Sequence, residues 1–220
     1  MLLTPPLSAI NKLATALTTT ESIIEVPARK RLFLTSQGKS HLYILLSGGI
    51  SLMRKTDTLL LGSITETYVF GLTALFSPPQ NNTVLRTDTP CKIIKMEIDD
   101  AAAIIAQKGL WYQVSEILSF HIRYMVHRDA MLVNKRTREV VMSYVDEIAR
   151  MPDDVRKQIK MLSYIQDRSG ISRSSILNII AEMRNDNVIQ TRRGGILLAT
   201  LGPDDKPAPE TSNRSGVLFT

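Results

Sequence analysis

Ser172, Arg173, Ser174, Ser175 and Asn178 crowd into one short stretch, and Arg192-Arg193 follows soon after it. Guanidinium and carboxamide groups can make paired hydrogen bonds to the edges of purine bases, and hydroxyls and cations can hold phosphate oxygens. The surrounding residues, SYIQDRSGISRSSILNIIAEMRNDNVIQTRRGGILL from Ser163 to Leu198, say how such groups would be presented. Ser169-Gly170-Ile171 reads as a tight turn between two helices, with Gly170 supplying the permissive backbone. Ser172 is a good N-cap for the second helix. Ile176, Ile179, Ile180 and Met183 recur at helical spacing and give that helix a buried face, leaving Arg173, Ser174, Ser175 and Asn178 outward. Asn187 ends the helix. Val188-Ile189-Gln190 and Ile196-Leu197-Leu198 read as paired strands, with Arg192-Arg193-Gly194-Gly195 as a basic tip. The pattern is a winged helix-turn-helix, and the expected partner is double-stranded DNA. Arg173, Ser174 and Asn178 are the candidates for base edges. Ser172, Ser175, Arg192 and Arg193 are the candidates for phosphate.

Composition fits this reading. The chain of 220 residues carries a net charge of +6, with 44% hydrophobic and 22% charged residues. Residues 150–202 hold nine basic and five acidic side chains, the most basic part per residue, which favours a polyanionic partner. No apolar run approaches the roughly 18 residues of a membrane span. The start, MLLTPPLSAINKL, lacks the basic head and apolar run of a secretory signal, so a cytoplasmic location without a membrane partner is expected. The one cysteine, Cys91, excludes an intrachain disulfide and a cysteine-ligated cluster built from this chain alone; it reads as a small buried residue. His41, His121 and His127 form no recognisable ligand set and read as structural. No nucleophile elbow, P-loop, HExxH or dinucleotide glycine pattern occurs. The expectation is a non-enzyme without a cofactor.

Upstream, Ser8 is expected to cap a helix to Leu17, with Ile10, Leu13 and Leu17 on one face. Short β-rich runs follow from Ser22 to Glu97: 22–26, 31–35, 42–46, 50–54, 58–64, 68–70, 83–87 and 92–97. Turn signals such as Gln37-Gly38, Ser47-Gly48-Gly49 and Lys55-Thr56-Asp57 separate them. Many short strands at close spacing suggest an antiparallel barrel or sandwich. From Asp99 the texture turns helical: a helix over 101–107, a break at Gly109, and a long helix from about Leu110 to Val133. Trp111, Val114, Leu118, His121, Met125, Arg128 and Leu132 follow alternating steps of three and four, an a/d-like seam for a partner helix. Ile117, Phe120 and Tyr124 form a second face for the β-rich part. Asn134-Lys135-Arg136 reads as a hinge. Thr137 or a neighbour then starts a helix with Val140, Val141, Tyr144, Val145 and Ile148 inside, and Pro152 ends it.

Gln37-Gly38 followed by Leu42-Tyr43-Ile44-Leu45-Leu46-Ser47-Gly48 resembles the "QG…LYYILSG" run of the cyclic-nucleotide-binding β-roll. Gly71-Leu72-Thr73-Ala74-Leu75-Phe76 resembles its "GELALF" segment. With a long helix and a winged helix-turn-helix behind them, residues 30–200 resemble the CRP/FNR transcription regulators, including the branch described as inhibitors of hydrogen peroxide resistance. The resemblance implies an α+β fold: an N-terminal antiparallel β-roll, a long dimerisation helix and a C-terminal winged helix-turn-helix. It also implies a homodimer on near-palindromic DNA. RNA polymerase enters as a partner if the protein activates transcription, and no stretch reads as a contact surface for it. Members of the family often carry a short strand pair near Val155–Met161. Where nucleotide-binding members have the ribose-binding glutamate, this chain has Leu72. Where they have arginine and serine for the cyclic phosphate, it has Asn81 and Asn82. The pocket is therefore expected to be degenerate and not controlled by cyclic AMP, unless Arg86 restores the charge; a neutral effector, or none, would suit it.

The expected organisation is a β-roll over 1–108, the long helix and hinge over 109–134, the winged helix-turn-helix over 135–202 and a mobile tail over 203–220. The alternative is a ligand- or protein-binding regulatory module whose helix-turn-helix serves as an interaction surface.

Overall fold

A computed structural model describes residues 4–18, 23–77, 82–192 and 194–200. The chain divides into two compact units, one formed by Met1–Arg136 with Gln166–Gly170 and the other by Thr137–Ile165 with Ile171 onward. The first opens with α1 (Leu7–Leu17) and continues through β1 (Ile23–Val26), β2 (Arg31–Leu32), β3 (Thr35–Ser36), β4 (Lys39–Ser47), β5 (Ile50–Arg54), β6 (Leu60–Ile64) and β7 (Tyr68–Phe70). A 3-10 turn at Leu72–Leu75, β8 (Thr83–Thr87) and β9 (Cys91–Glu97) lead into α2 (Ile98–Gln107) and α3 (Trp111–Leu132). The second contains α4 (Thr137–Ala149), α5 (Asp153–Arg156), α6 (Met161–Ser169), α7 (Arg173–Asn185), β10 (Ile189–Arg192) and β11 (Ile196–Thr200).

Two antiparallel sheets make the roll. One has β1, β9, β4 and β3 in order with β7 also paired to β4; the other runs β2-β8-β5-β6. The continuous apolar run Leu42–Leu45 is buried along its whole length, because β4 is central between β9 and β7 and both of its faces are covered. Helix α1 contributes Ile10, Leu13 and Leu17, all with no exposed surface, at the spacing of one helical face. It starts at Leu7 after Pro6, so Ser8 lies inside it rather than capping it. Thr87 is buried; its hydroxyl donates to the Pro27 carbonyl (2.7 Å) and accepts the Lys30 N–H (2.9 Å), which ties the 27–30 turn to β8. In the second unit Val141, Val145, Ile148, Met161, Ile165, Ile176 and Leu197 are fully buried.

Three local differences from the sequence reading have physical causes. The expected strand 31–35 is broken into β2 and β3, each two residues long. Helix α2 begins at Ile98, so Asp99 and Asp100 sit in its first turn, where carboxylates favour the positive end of the helix. Near Val155–Met161, where the resembled family often carries a short strand pair, the chain instead makes the helical turn α5, with Arg156 bonded to Asp153 at 2.6 Å.

Gly48 connects β4 to β5 with φ +101°, and a Cβ there would lie 2.5 Å from the Pro90 carbonyl oxygen and 2.7 Å from Cys91 Sγ. Gly38 also has positive φ but no neighbour within 4 Å. Gly48→Ala should therefore lower unfolding free energy by roughly 2–4 kcal/mol in urea denaturation. Gly38→Ala, strained but unobstructed, should cost about 1 kcal/mol.

Candidate nucleic-acid interface and ligand cavity

Helix α7 is built as its sequence suggests. Ser172 is extended at φ −61°, ψ 144°, and its hydroxyl accepts the Ser175 N–H at 3.2 Å. Ser172 Oγ also lies 3.1 Å from Ser174 Oγ and 2.8 Å from Ser175 Oγ. The cap uses the Ser175 N–H and leaves those of Arg173 and Ser174 facing outward from the positive end of the helix dipole. Ile176, Ile180 and Met183 are buried. Asn187, at φ 55°, ends the helix in the left-handed conformation that asparagine tolerates.

The outward face carries Arg173, Ser174 and Asn178, all exposed; Ser175 is half-buried. It also carries Leu177, 43% exposed, and Ala181, exposed, at the i, i+3 and i+7 positions from Ser174. The sequence reading placed neither residue on a face, although Leu177 carries a legible signal. Its signal is its place one step off the Ile176–Ile180–Met183 line. Apolar groups on such a face meet thymine methyls.

Charge is distributed unevenly along α7. Near its C-terminal end, Glu182 and Asp186 both bond Arg138 of α4, at 2.8 and 3.4 Å. At the other end Arg173 has no ion-pair partner among the described residues, and neither does Arg192. The wing pairs β10 with β11, with a register shift between Gln190 and Thr191 and Arg192 opposite Ile196. Arg192 is exposed beside the tip, whose Gly194 and Gly195 have φ 90° and 76°. The Met161 N–H donates to the Gly195 carbonyl at 3.0 Å, anchoring the wing to the start of α6. Arg193 lies outside the described residues.

In the first unit, a cavity of about 430 Å³ opens inside the roll. Leu52, Leu61, Ile64, Leu72 and Leu85 line it from the roll, and Phe120, His121, Tyr124 and Met125 from α3. Leu72 is 1% exposed and closes the wall where a ribose-binding carboxylate was considered. Asn82 is not on the wall, and Asn81 lies outside the described residues. Arg86 does not reach the wall either; it bonds Asp88 at 2.8 Å, so it supplies no charge to this space. The polar feature facing α3 is the Tyr68 hydroxyl, 2.6 Å from His121 Nε2. Burial pushes the Tyr68 hydroxyl up to about 12, with Tyr124 adding to it, and pushes the His121 imidazole below its ordinary value. The pair is therefore neutral at physiological pH.

The structure divides the expected seam: Val114, Leu118 and His121 turn toward the roll, whereas Trp111 and Met125 stay 39% and 49% exposed. Val114 and Ile117 have no exposed surface, and Leu118, His121 and Tyr124 are half-buried, so this side of α3 is already occupied by the roll. The exposed stripe is Tyr112, Ser115, Ser119, Ile122, Val126, Asp129 and Val133, also in steps of three and four. Tyr112, Ile122 and Val126 are 72%, 66% and 64% exposed. His41 sits within β4 and is buried. The Cys91 thiol is 3% exposed and donates to the carbonyls of Gly49 (3.3 Å) and Thr89 (3.2 Å).

A family model described as winged helix-turn-helix DNA binding matches residues 137–201. The chain is 22% identical over 209 residues to the inhibitor of hydrogen peroxide resistance of Escherichia coli, covering 91% of this chain and 97% of that one. Against the protein of that name from Salmonella typhimurium it is 22% identical over 161 residues, covering 73% and 77%. Among solved structures, the c-di-GMP responsive global regulator CLP of Xanthomonas campestris matches with a TM-score of 0.68 at 15% identity, over 88% of this chain and 99% of that one. A CRP/FNR-family transcriptional regulator of Thermus thermophilus matches with a TM-score of 0.57 at 16% identity, over 80% and 92%. The fold is that of the CRP/FNR regulators: an antiparallel β-roll, a long helix and a winged helix-turn-helix. Among the described residues no helix is long and apolar enough to cross a membrane.

Because folding lowers the proton affinity of His121, its neutral state stabilises the fold fully above about pH 6.5, and that contribution falls as pH drops through this value toward the folded one. His41 is shifted the same way by burial. The thermal midpoint should therefore decline from pH 7 to 5, and His121→Gln should make the decline shallower without abolishing it.

Proposed function

We propose that the chain is a sequence-specific DNA-binding transcription regulator that acts as a homodimer and is not controlled by cyclic AMP. The observation that carries the DNA assignment is the N-terminal half of α7. There Arg173, Ser174 and Asn178 stand exposed around a capped helix start, and Arg173 is not spent on any ion pair among the described residues. Arg173 suits guanine and Asn178 adenine, while Leu177 suits a thymine methyl. Ser172, Ser175, Arg192 and Arg193 suit phosphate, together with the Arg173 and Ser174 N–H groups. The working division is a roll over 1–108, the long helix and hinge over 109–134, a DNA-reading part over 135–202 and a tail beyond it.

Support for the dimer comes from the exposed Ile122–Val126 stripe on α3, which is too apolar for solvent and has the period of a two-helix seam. Two copies joined there would place two α7 helices on half-sites about 34 Å apart. Support for independence from cyclic AMP comes from Leu72 and from the engagement of Arg86 by Asp88. The names of the enterobacterial relatives support hydrogen peroxide resistance as the regulated process. The burial of Cys91 argues against this thiol as the peroxide sensor.

Selection of bound duplexes from a random pool, without added ligand, tests the assignment. The expected product is a near-palindrome with half-sites about 10 base pairs apart, unchanged by cyclic AMP. No enrichment under either condition would refute it. With the selected site, Arg173→Ala should weaken binding by about tenfold or more and relax one base position. Arg192→Ala should weaken all DNA alike and reduce the salt slope by about 1; a changed preferred sequence would contradict these roles. Ile122→Asp with Val126→Asp should convert the dimer to a folded monomer in sedimentation. A monomeric wild type would rule the seam out.

A further inference from the structure

The roll cavity is a built site whose wall chemistry points to a ligand class. Its volume of about 430 Å³ matches that of small-molecule sites. Among the described residues, none of its lining side chains is Asp, Glu, Lys or Arg. An anion entering it would lose its hydration and meet no cation among the described residues, a loss worth several orders of magnitude in affinity. Thr73 and Thr83 on the wall are exposed and half-buried, within reach of water, and two further groups already have partners. Tyr124 donates to the Leu61 carbonyl at 2.8 Å, and Ser63 Oγ lies 3.3 Å from Ser51 Oγ. The Tyr68–His121 pair differs. A hydroxyl and an imidazole nitrogen share one hydrogen bond, so the Tyr68 oxygen keeps capacity for a second.

We propose that this cavity binds an uncharged, largely apolar small molecule with one hydrogen-bonding group, which docks on the Tyr68 hydroxyl beside His121. The ligand would bridge the roll wall at Leu61, Leu72 and Leu85 to α3 at Phe120 and Met125, so occupancy stiffens the helix that carries the exposed stripe. This goes beyond the DNA-reading assignment and is measured without DNA, so either can fail alone.

The structure supplies a suitable variant. Gly62 lines the cavity. A Cβ there would have Tyr124 Oη as its nearest neighbour, at 3.8 Å, and the φ of Gly62 is not in the left-handed range. Gly62→Leu therefore fills the space without backbone strain. Two dyes with one skeleton, N-phenylnaphthylamine (uncharged) and anilinonaphthalene sulfonate (anionic), are titrated into the full-length protein by fluorescence and calorimetry. The neutral dye should saturate at one per chain and bind at least about tenfold tighter than the sulfonate. Gly62→Leu should cut that binding about tenfold or more while the circular dichroism and thermal midpoint hold. Naphthol should outbind naphthalene about fivefold, and Tyr68→Phe should erase the difference. Equal or tighter binding of the sulfonate, displacement of the neutral dye by cyclic AMP, or neutral-dye binding untouched by a folded Gly62→Leu variant would each overturn the proposal. A naphthol preference that survives Tyr68→Phe would overturn the anchor.

Discussion

A helical residue can face only one client, and α3 has to divide its circumference between the β-roll and whatever meets its other side. The Tyr68–His121 hydrogen bond fixes how that division falls. At 2.6 Å it pins the middle of α3 to β7, and with α3 rotated to that contact, Val114, Ile117 and Phe120 go inward. Ile122 and Val126 then have nowhere to go but out. Rotating the helix by one residue to hide Ile122 would turn about 100° of its surface, expose Phe120 and leave the Tyr68 hydroxyl buried without a partner. The bare stripe is thus a consequence of a satisfied polar contact on the opposite face.

The same contact shapes the cavity. In a pocket that holds a charged ligand, buried cations and carboxylates are kept because the ligand completes them. Here Leu72 occupies the wall position where a carboxylate would bring charge, and Arg86 is held by Asp88, which also accepts from Ser51 at 2.6 Å. Asp88 therefore keeps Arg86 out of the interior and ties the end of β8 to β5 through Ser51. What remains polar toward α3 is a neutral pair, which an apolar cavity tolerates because Tyr68 and His121 bond each other.

Much of the fold was legible in the sequence, and the exceptions are instructive. The α7 cap, the turn at Gly170 and the β10–β11 hairpin rest on local chemistry: an oxygen for an orphan N–H, a residue free to adopt positive φ, a short loop with two glycines. Such requirements are met within a few residues and can be read there. On α3 the roll-facing line Ile117, Phe120 and Tyr124 was legible and is buried or half-buried, but the division of the remaining surface could not be read in this way. Val114–Leu118–His121–Met125 and Ser115–Ser119–Ile122–Val126 both step by three and four, and periodicity cannot say which line meets the roll. That choice is made by distant parts of the chain, α1 packing along α3 and Tyr68, 53 residues away, bonding His121. Leu177 was left unassigned in the sequence, and its exposure has a related cause. Its neighbours Ile176 and Ile180 fill the available core, so a third apolar residue on the adjacent line is left outside.

The serines at the start of α7 set a limit on what each can contribute to recognition. Ser172 Oγ already accepts the Ser175 N–H and shares contacts with the hydroxyls of Ser174 and Ser175. A hydroxyl has one proton to give, so engaging a phosphate oxygen with Ser172 would draw that proton out of the serine cluster. The cap itself uses only the oxygen's lone pair and can persist. Ser174 can turn outward at the cost of a single hydroxyl contact, whereas Ser175 is half-buried and gives up more. The Arg173 guanidinium, long, exposed and unpaired, can reach a base edge without disturbing any of this. Selectivity should therefore rest on Arg173, Asn178 and the apolar Leu177. In the proposed complex the serine cluster would mainly hold the helix start rigid, through the contacts of Ser172 with Ser174 and Ser175.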